Sequence, residues 1–557
     1  MMLSFCRLDG FRRQNHKAHV RIPFSSALFC PCQAASLMIL AVSLLAGSMA
    51  LATDVTTYHN DTARTGQNLQ ETILTPSNVN SSTFGKLFTV SVDGVIDAQP
   101  LYLFSVSISG GTHNVLYTVT ENDSVYAFDA DTGAPLWQVS VLGAGETPSD
   151  TRNCSQITPE IGITSTPVID RASGTHGTIY VVAMSKNSSG TYFQRLHALD
   201  LTTGAEEFGG PVTVQAKYPG MGDNSQGGFV VFDPKQYAER AGLLLLNHVI
   251  YTAWTSHCDI RPYTGWLIGY SESTLAQTGV LDVTPNGNEG AIWQAGDGLA
   301  AAEGNIYFLD ANGTFDTTLN VQGFPNQGDY GNAFVKVSTV KNKLTAADYF
   351  TMYNTVAESD ADEDLGSGGV MLLPPLKDSS GATQSLGIGA GKDGNIYIVN
   401  RNHMGKFNPN NDSAIYQEID GALPGGDWSM PAFFAGDVYF GPQGNNLLQF
   451  QFSKARLSTS PVSRSAVSFE YPGSTPSVSA NGKSNGIVWA IEHSNPSVLH
   501  AYNAASLATE LYNSSQASGG RDQFGSASHF GTPTIVNGKV YVGTTTGVAA
   551  FGLIGGN

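Results

Sequence analysis

The chain has 557 residues, 41% of them hydrophobic and only 13% charged, with 62 glycines and 25 prolines. That composition excludes a disordered chain or a coiled coil and points to many short strands joined by turns. A formal charge of −18, with no basic patch to offset it, excludes a surface built for nucleic acid or anionic membrane.

At the N-terminus, Arg7, Arg12, Arg13, Lys17 and Arg21 precede an apolar run from Ser36 to Ala52 that ends in Ala-Leu-Ala. This pattern predicts a signal peptide over residues 1–52 and an exported chain, periplasmic or extracellular. The run is short and broken by Ser and Gly, so a membrane anchor is not expected, and no later segment could span a bilayer. Removing it takes away Cys6, Cys30 and Cys32 and makes the remaining chain more acidic. Cys154 and Cys258 remain, both in polar loops, and export predicts a disulfide between them. Residues 53–83 read as an N-terminal arm, and residues 84–557 as one repeat domain.

The repeat is read from strands with an aromatic at one fixed place. In chain order these are "VLYTV" (Tyr117), "TIYVV" (Tyr180), "VIYTA" (Tyr251), "NIYFL" (Tyr307), "NIYIV" (Tyr397), "DVYFG" (Tyr439), "IVWAI" (Trp489) and "KVYVG" (Tyr541). A turn and a third strand follow each: "VYAFD", "LHALD", "LIGYS", "FVKVS", "MGKFN", "LLQFQ", "LHAYN" and "VAAFG". Before many of them lies a proline-containing first strand, such as "AQPLY", "STPVI", "SMPAF", "STPSV" and "GTPTI". Eight such units predict an all-β, eight-bladed β-propeller of four-stranded blades. The last unit has three strands and then the chain stops, whereas "LFTVSV" (Leu87 to Val92) stands alone near the start. It matches "LWQVSV" (Leu136 to Val141), the fourth strand of the first unit, so the N-terminal strand is expected to complete the last blade and remove two open edges.

The first two units also share a turn. "ALDLTTG" at Ala198 repeats the pattern of "AFDADTG" at Ala127. Asp and Thr can bond turn amides there, Gly133 and Gly204 can take positive φ, and Trp137 can pack as a plate between blades. The stretch from Ala127 to Trp137 resembles the tryptophan-docking repeat of the pyrroloquinoline quinone (PQQ) propeller superfamily, and the resemblance runs from about Phe84 to the C-terminus. The whole chain also resembles a group of secreted bacterial proteins named for this repeat, through "RTGQN" (Arg64), "PEIGIT" (Pro159), "GLLLLN" (Gly242), "DLGSGGV" (Asp364) and "SNGIVWA" (Ser484). The superfamily contains quinoprotein alcohol dehydrogenases and also non-catalytic propellers, such as the outer-membrane assembly lipoprotein.

The resemblance implies what a dehydrogenase would need: Ca²⁺ held by carboxylates and an amide, an Asp base, and a quinone between a Trp and a ring of vicinal cysteines. No Cys-Cys pair is present. In a propeller the loops entering the first strands share a face with those joining second to third strands. That rule gathers "NCSQITPEIG", "SHCDIRPYTGW", "DADEDLGSGG", "GGDWSMP" and "RDQFGSASHFG". Glu160, Asp259 and Asp364 are the candidate cation ligands, as hard oxygen donors from separate loops. The competing expectation for Asp360, Asp362, Glu363 and Asp364 is a solvated acidic loop. Trp293 and Trp428 are candidate stacking residues and Arg261 a candidate anion contact, with Arg401 and Arg521 as further arginines. His257, His403 and His529 are expected to be hydrogen-bonding loop residues. Two functions follow. The first is an exported binding or scaffold propeller that engages a protein or glycan at the cell surface through its loop face. The second is a PQQ- and calcium-dependent alcohol or sugar dehydrogenase.

Overall fold

The computed structural model describes residues 53–555, so the expected signal peptide lies outside it. No helix among these residues is long and apolar enough to cross a membrane. The architecture is all-β and of the β-propeller kind, with eight antiparallel sheets that each contain a four-strand ladder. The first is Leu101–Ile108, Gly111–Val119, Ser124–Asp129 and Pro135–Ser140. The eighth runs Thr534–Val536, Lys539–Gly543 and Gly547–Leu553. Its fourth strand is Phe84–Ser91, which pairs antiparallel with Gly547–Leu553 and sets Val90 opposite Val548.

The repeated aromatic has a physical reason. Tyr117, Tyr180, Tyr439 and Tyr541 are buried, and a buried phenol must place its hydroxyl. Each donates to a backbone carbonyl at the end of the third strand of the next sheet: Tyr117 to Leu201 (3.0 Å), Tyr180 to Glu272 (2.8 Å) and Tyr439 to Ala504 (2.7 Å). Tyr541 of the eighth sheet donates to Ala130 of the first (2.8 Å). The apolar cores likewise lie between consecutive sheets, and Tyr541, Val548 and Ala550 share one core with Leu101, Leu116 and Tyr117.

The shared turn forms as its residues require. Asp129 Oδ1 accepts from the amides of Asp131 and Thr132, Asp200 Oδ1 from those of Thr202 and Thr203, and Gly133 and Gly204 sit at φ +76° and +68°. These glycines are also contact points. A Cβ on Gly204 would lie 2.9 Å from the Trp137 ring, and one on Gly133 would lie 2.9 Å from Phe88 of the closing strand. Trp137 is half-buried rather than enclosed, and its Nε1 donates to the Leu201 carbonyl (2.9 Å).

One unit departs from the expected strand order. In the fifth sheet "NIYIV" is the third strand, Ile396–Asn400; the second is Leu386–Ala390, and "MGKFN" is not a strand. The glycine-rich "LGIGA" carries no aromatic, so the pattern passed over it. Tyr397 consequently makes no bond to the next sheet, and its hydroxyl donates to Asp393 (2.5 Å).

The arm contacts every sheet in turn. Val55 exchanges two hydrogen bonds with Tyr102, and the amides of Ile169, Ala301, Leu372, Phe433 and Val478 donate to the carbonyls of Thr56, Thr62, Ala63, Thr65 and Gly66. Each of these amides belongs to the second residue of an innermost strand. Asn68 Nδ2 donates to Ile535 of the eighth sheet (3.0 Å), and Arg64 reaches the third and fourth sheets through the carbonyls of Leu243 (3.4 Å) and Leu299 (2.8 Å). Arg64 is wholly buried, and Gly298 makes room for it: a Cβ there would lie 2.8 Å from Cζ.

Three consequences can be measured by chemical unfolding. Tyr541→Phe should lower stability by about 1 kcal/mol, the net worth of a buried hydrogen bond. Tyr307→Phe should be neutral or stabilising, because the Tyr307 hydroxyl is buried without a partner. Arg64→Met should cost far more, roughly 3–5 kcal/mol, since it strips several buried carbonyls of their donor at once.

Candidate functional site

A bowl of about 320 Å³ opens among the loops that enter the innermost strands and those that join second to third strands. Its walls include Trp293, Trp428 and Tyr471 together with Thr255, Ser256, Asp259, Asn312, Asp364 and Lys392. A narrow annex of about 20 Å³ leads off it, sharing Gln156, Thr255, Ser256 and Trp293 and adding Arg240, His257 and Phe530. The Cys154–Cys258 disulfide is formed and contributes to both walls.

The turn Trp293-Gln-Ala-Gly-Asp-Gly organises the base. Gln294, Ala295 and Gly296 follow one another at φ +43°, +51° and +88°. For Gln and Ala that conformation is strained and persists only where surrounding contacts hold it. Gly296 has no Cβ because one would lie 3.0 Å from Cζ of Arg240. Gly298 clears Arg64 in the same way, so Asp297 sits in a turn with one arginine against each flanking glycine. Tyr58 of the arm donates to Asp297. Burial, reinforced by Asp427, still holds the Asp297 carboxyl well above the ordinary range, against the pull of Tyr58, Arg240 and Arg64. Burial likewise pushes Asp427 up to about 7; its Oδ1 accepts from Ser429 (2.7 Å) and its Oδ2 has no partner.

Of the run expected as a solvated acidic loop, Asp360, Asp362 and Glu363 are exposed, whereas Asp364 is buried. Asp364 accepts from Trp293 Nε1 (3.1 Å), and Lys392 Nζ lies 2.6 Å from both Asp364 Oδ1 and Asp362 Oδ1. Burial raises the Asp364 carboxyl against the pull of Lys392 and Trp293, and the two carboxylates raise Lys392 against its own burial. Asp259 borders the bowl but is taken up by Ser256 and Tyr263. Glu160 does not border it; burial and the negative charge of Asp93 hold it up. Glu160, Asp259 and Asp364 thus do not converge, and no three His, Cys, Asp or Glu among the described residues stand together as a metal site. At Asp364 the neighbouring positive charge is the ammonium of Lys392, so the donors present do not fit a calcium ion.

Trp293 and Trp428 do face the bowl, Trp428 edge-on to Tyr471. Arg261 does not: it forms a bidentate pair with Asp223. Arg401 lies on the fifth sheet near Glu303, and Arg521 pairs with Asp522 beside the closing strand. His257 is buried in the annex, where burial pulls its imidazole down to about 4.

Arg240, Lys392, Tyr471 and Phe530 were not singled out by sequence. Arg240 lies four residues before the inner strand Leu244–Leu246, so the loop rule would have found it had that strand been recognised. It carries no proline and reads only as an apolar run.

Comparison with known proteins agrees with the fold. A family model described as outer membrane protein assembly factor BamB matches residues 121–224. Quinohemoprotein alcohol dehydrogenase from Comamonas testosteroni superposes with TM-score 0.62 at 13% identity, covering 91% of this chain and 81% of that one. The corresponding enzyme ADHIIG from Pseudomonas putida HK5 gives 0.59 at 13% identity with the same coverage. The matched residues and these superpositions agree on a propeller of the PQQ-repeat kind. A europium-containing methanol dehydrogenase gives 0.56 at 11% identity over 90% of this chain and 98% of its own. Identities this low show the fold alone. No curated protein matches the sequence.

Asp427 gives a test of the base. Its folded pKa lies above its unfolded value, so the folded state holds a proton that the unfolded state releases, and stability falls as pH rises from about 4 to about 7. Asp427→Asn should therefore be more stable than the parent at about pH 8, by roughly 1–3 kcal/mol, with little or no gain at about pH 4. Denaturant midpoints at the two pH values measure the difference.

Proposed function

We propose that this is an exported, eight-bladed binding propeller, its ring closed by Phe84–Ser91, that captures a small ligand in the bowl. Three observations support the ring: the arm's contacts with all eight sheets, the core shared by the eighth and first, and the Tyr541 bond to Ala130. The Cys154–Cys258 disulfide favours an oxidising destination.

The observation that carries the binding reading is the bowl's own charge arrangement. A polar pocket with aromatic walls is held open on a strained turn. Its volume lies in the range of small-ligand sites, about 300–1,000 Å³. The carboxylate that would polarise a cofactor through a cation is instead neutralised by Lys392. This arrangement favours recognition over turnover. A glycan or protein terminus at the cell surface is the kind of partner this face would engage.

The dehydrogenase reading is tested directly. The purified chain is titrated with PQQ and Ca²⁺, then assayed for dye reduction with alcohols and sugars. No turnover is expected. Saturable quinone binding near roughly one equivalent together with dye reduction would overturn the proposal.

A further inference from the structure

Arg240 is the unexplained charge of the bowl. It is only 6% exposed, yet among the described residues no carboxylate lies within the 4.0 Å of an ion pair and its guanidinium makes no hydrogen bond. It packs against Gly296 and lies over the face of Phe530, 5.0 Å away. The nearby carboxyls do not replace a partner, since burial drives both Glu239 and Asp297 toward their uncharged forms. A buried arginine without a counter-charge is costly unless something supplies one. The annex it faces holds about 20 Å³, room for a group the size of one water molecule or one carboxylate. In a protein as acidic as this one, an anion would gather only where such a charge is placed to hold it.

The bowl beyond the annex is chemically different. Asn312 is buried there with an Oδ1 that has no partner, and Asp259 and Asp362 add carboxylate acceptors. Acceptors of this kind suit hydroxyl donors and repel a second negative charge. Trp428 and Tyr471 offer flat apolar faces beside them. Resting on the binding reading above, we infer that the bowl binds a sugar acid, a uronate or aldonate, with its carboxylate in the annex on Arg240 and its hydroxylated body among Asn312, Asp259 and the aromatic walls. One charge at one end and several hydroxyls at the other match both compartments. A polycarboxylate would set a further charge against Asp259, the bowl carboxylate that Lys392 does not pair.

Calorimetric titration of the mature chain with galacturonate, its methyl ester, galactose and benzoate tests this. Galacturonate should bind saturably, and the methyl ester and galactose at least about tenfold more weakly. Arg240→Gln should weaken galacturonate by about 30-fold or more while leaving galactose unchanged, and Arg261→Gln, at the already paired rim arginine, should change neither. The ester comparison uses the unaltered protein and stands even if Arg240→Gln does not fold. Equal binding of ester and acid, or a folded Arg240→Gln that binds galacturonate as the parent does, would overturn the inference. Benzoate binding more tightly than galacturonate would overturn the sugar-acid class and leave the binding reading intact. No binding by any of the four would remove both.

Discussion

The innermost strand of each sheet has no neighbour on its inward side, and its free N–H and C=O groups need partners. A backbone group left dry and unpaired costs as much as a lost hydrogen bond. Here the arm supplies those partners. Its carbonyls from Val55 to Gly66 accept from one register position of successive inner strands, and its side chains Arg64 and Asn68 reach the sheets that its backbone does not. The arm thereby fixes more than an edge. Tyr58 is carried to Asp297 and Arg64 to the turn below the bowl, so the base of the site depends on the segment that satisfies the strands.

The turn around Asp297 shows how closely the two tasks are joined. Gly296 and Gly298 are small for opposite reasons, one to admit Arg240 from the bowl and one to admit Arg64 from the arm. Asp297 stands between a structural arginine and a ligand-facing one. Its carboxyl is held by the Tyr58 hydroxyl and kept toward the neutral form by burial, so it shields Arg240 less than its position suggests. A charge is left available at the surface of the bowl because the charge beneath it has already been dealt with.

How much of this the sequence disclosed varies with how far each feature repeats. Most strand units and the shared turn were readable because they obey rules that recur between sheets: in four sheets a buried Tyr bonds onward, and at Gly133 and Gly204 a Phe or Trp ring meets a glycine. The Cys pair was readable because only two cysteines follow the apolar run. The fifth sheet was misread where "LGIGA" lacks the aromatic, and the third sheet's inner strand was missed because "LLL" lacks the proline. Arg240 was lost with that strand. Arg261 looked like an anion contact by its loop, but Asp223, 38 residues earlier, already holds it. Glu160, Asp259 and Asp364 were chosen for residue type, and type says nothing of Lys392, which the second-to-third-strand loop of the fifth sheet brings against Asp364 in the loop entering that sheet.

Lys392 is also where this bowl differs chemically from one built around a metal ion. A metal and an ammonium both stabilise a buried carboxylate, but they differ in what they leave over. A bound cation keeps open coordination positions that can polarise a second ligand. An ammonium 2.6 Å from both Asp362 and Asp364 neutralises charge without offering a coordination position. What remains unspent in this bowl is the guanidinium of Arg240, the Asn312 carbonyl and the aromatic faces. Those groups are suited to orienting and holding a bound molecule. On the binding reading proposed above, the fold shared with those dehydrogenases carries here a site for recognition.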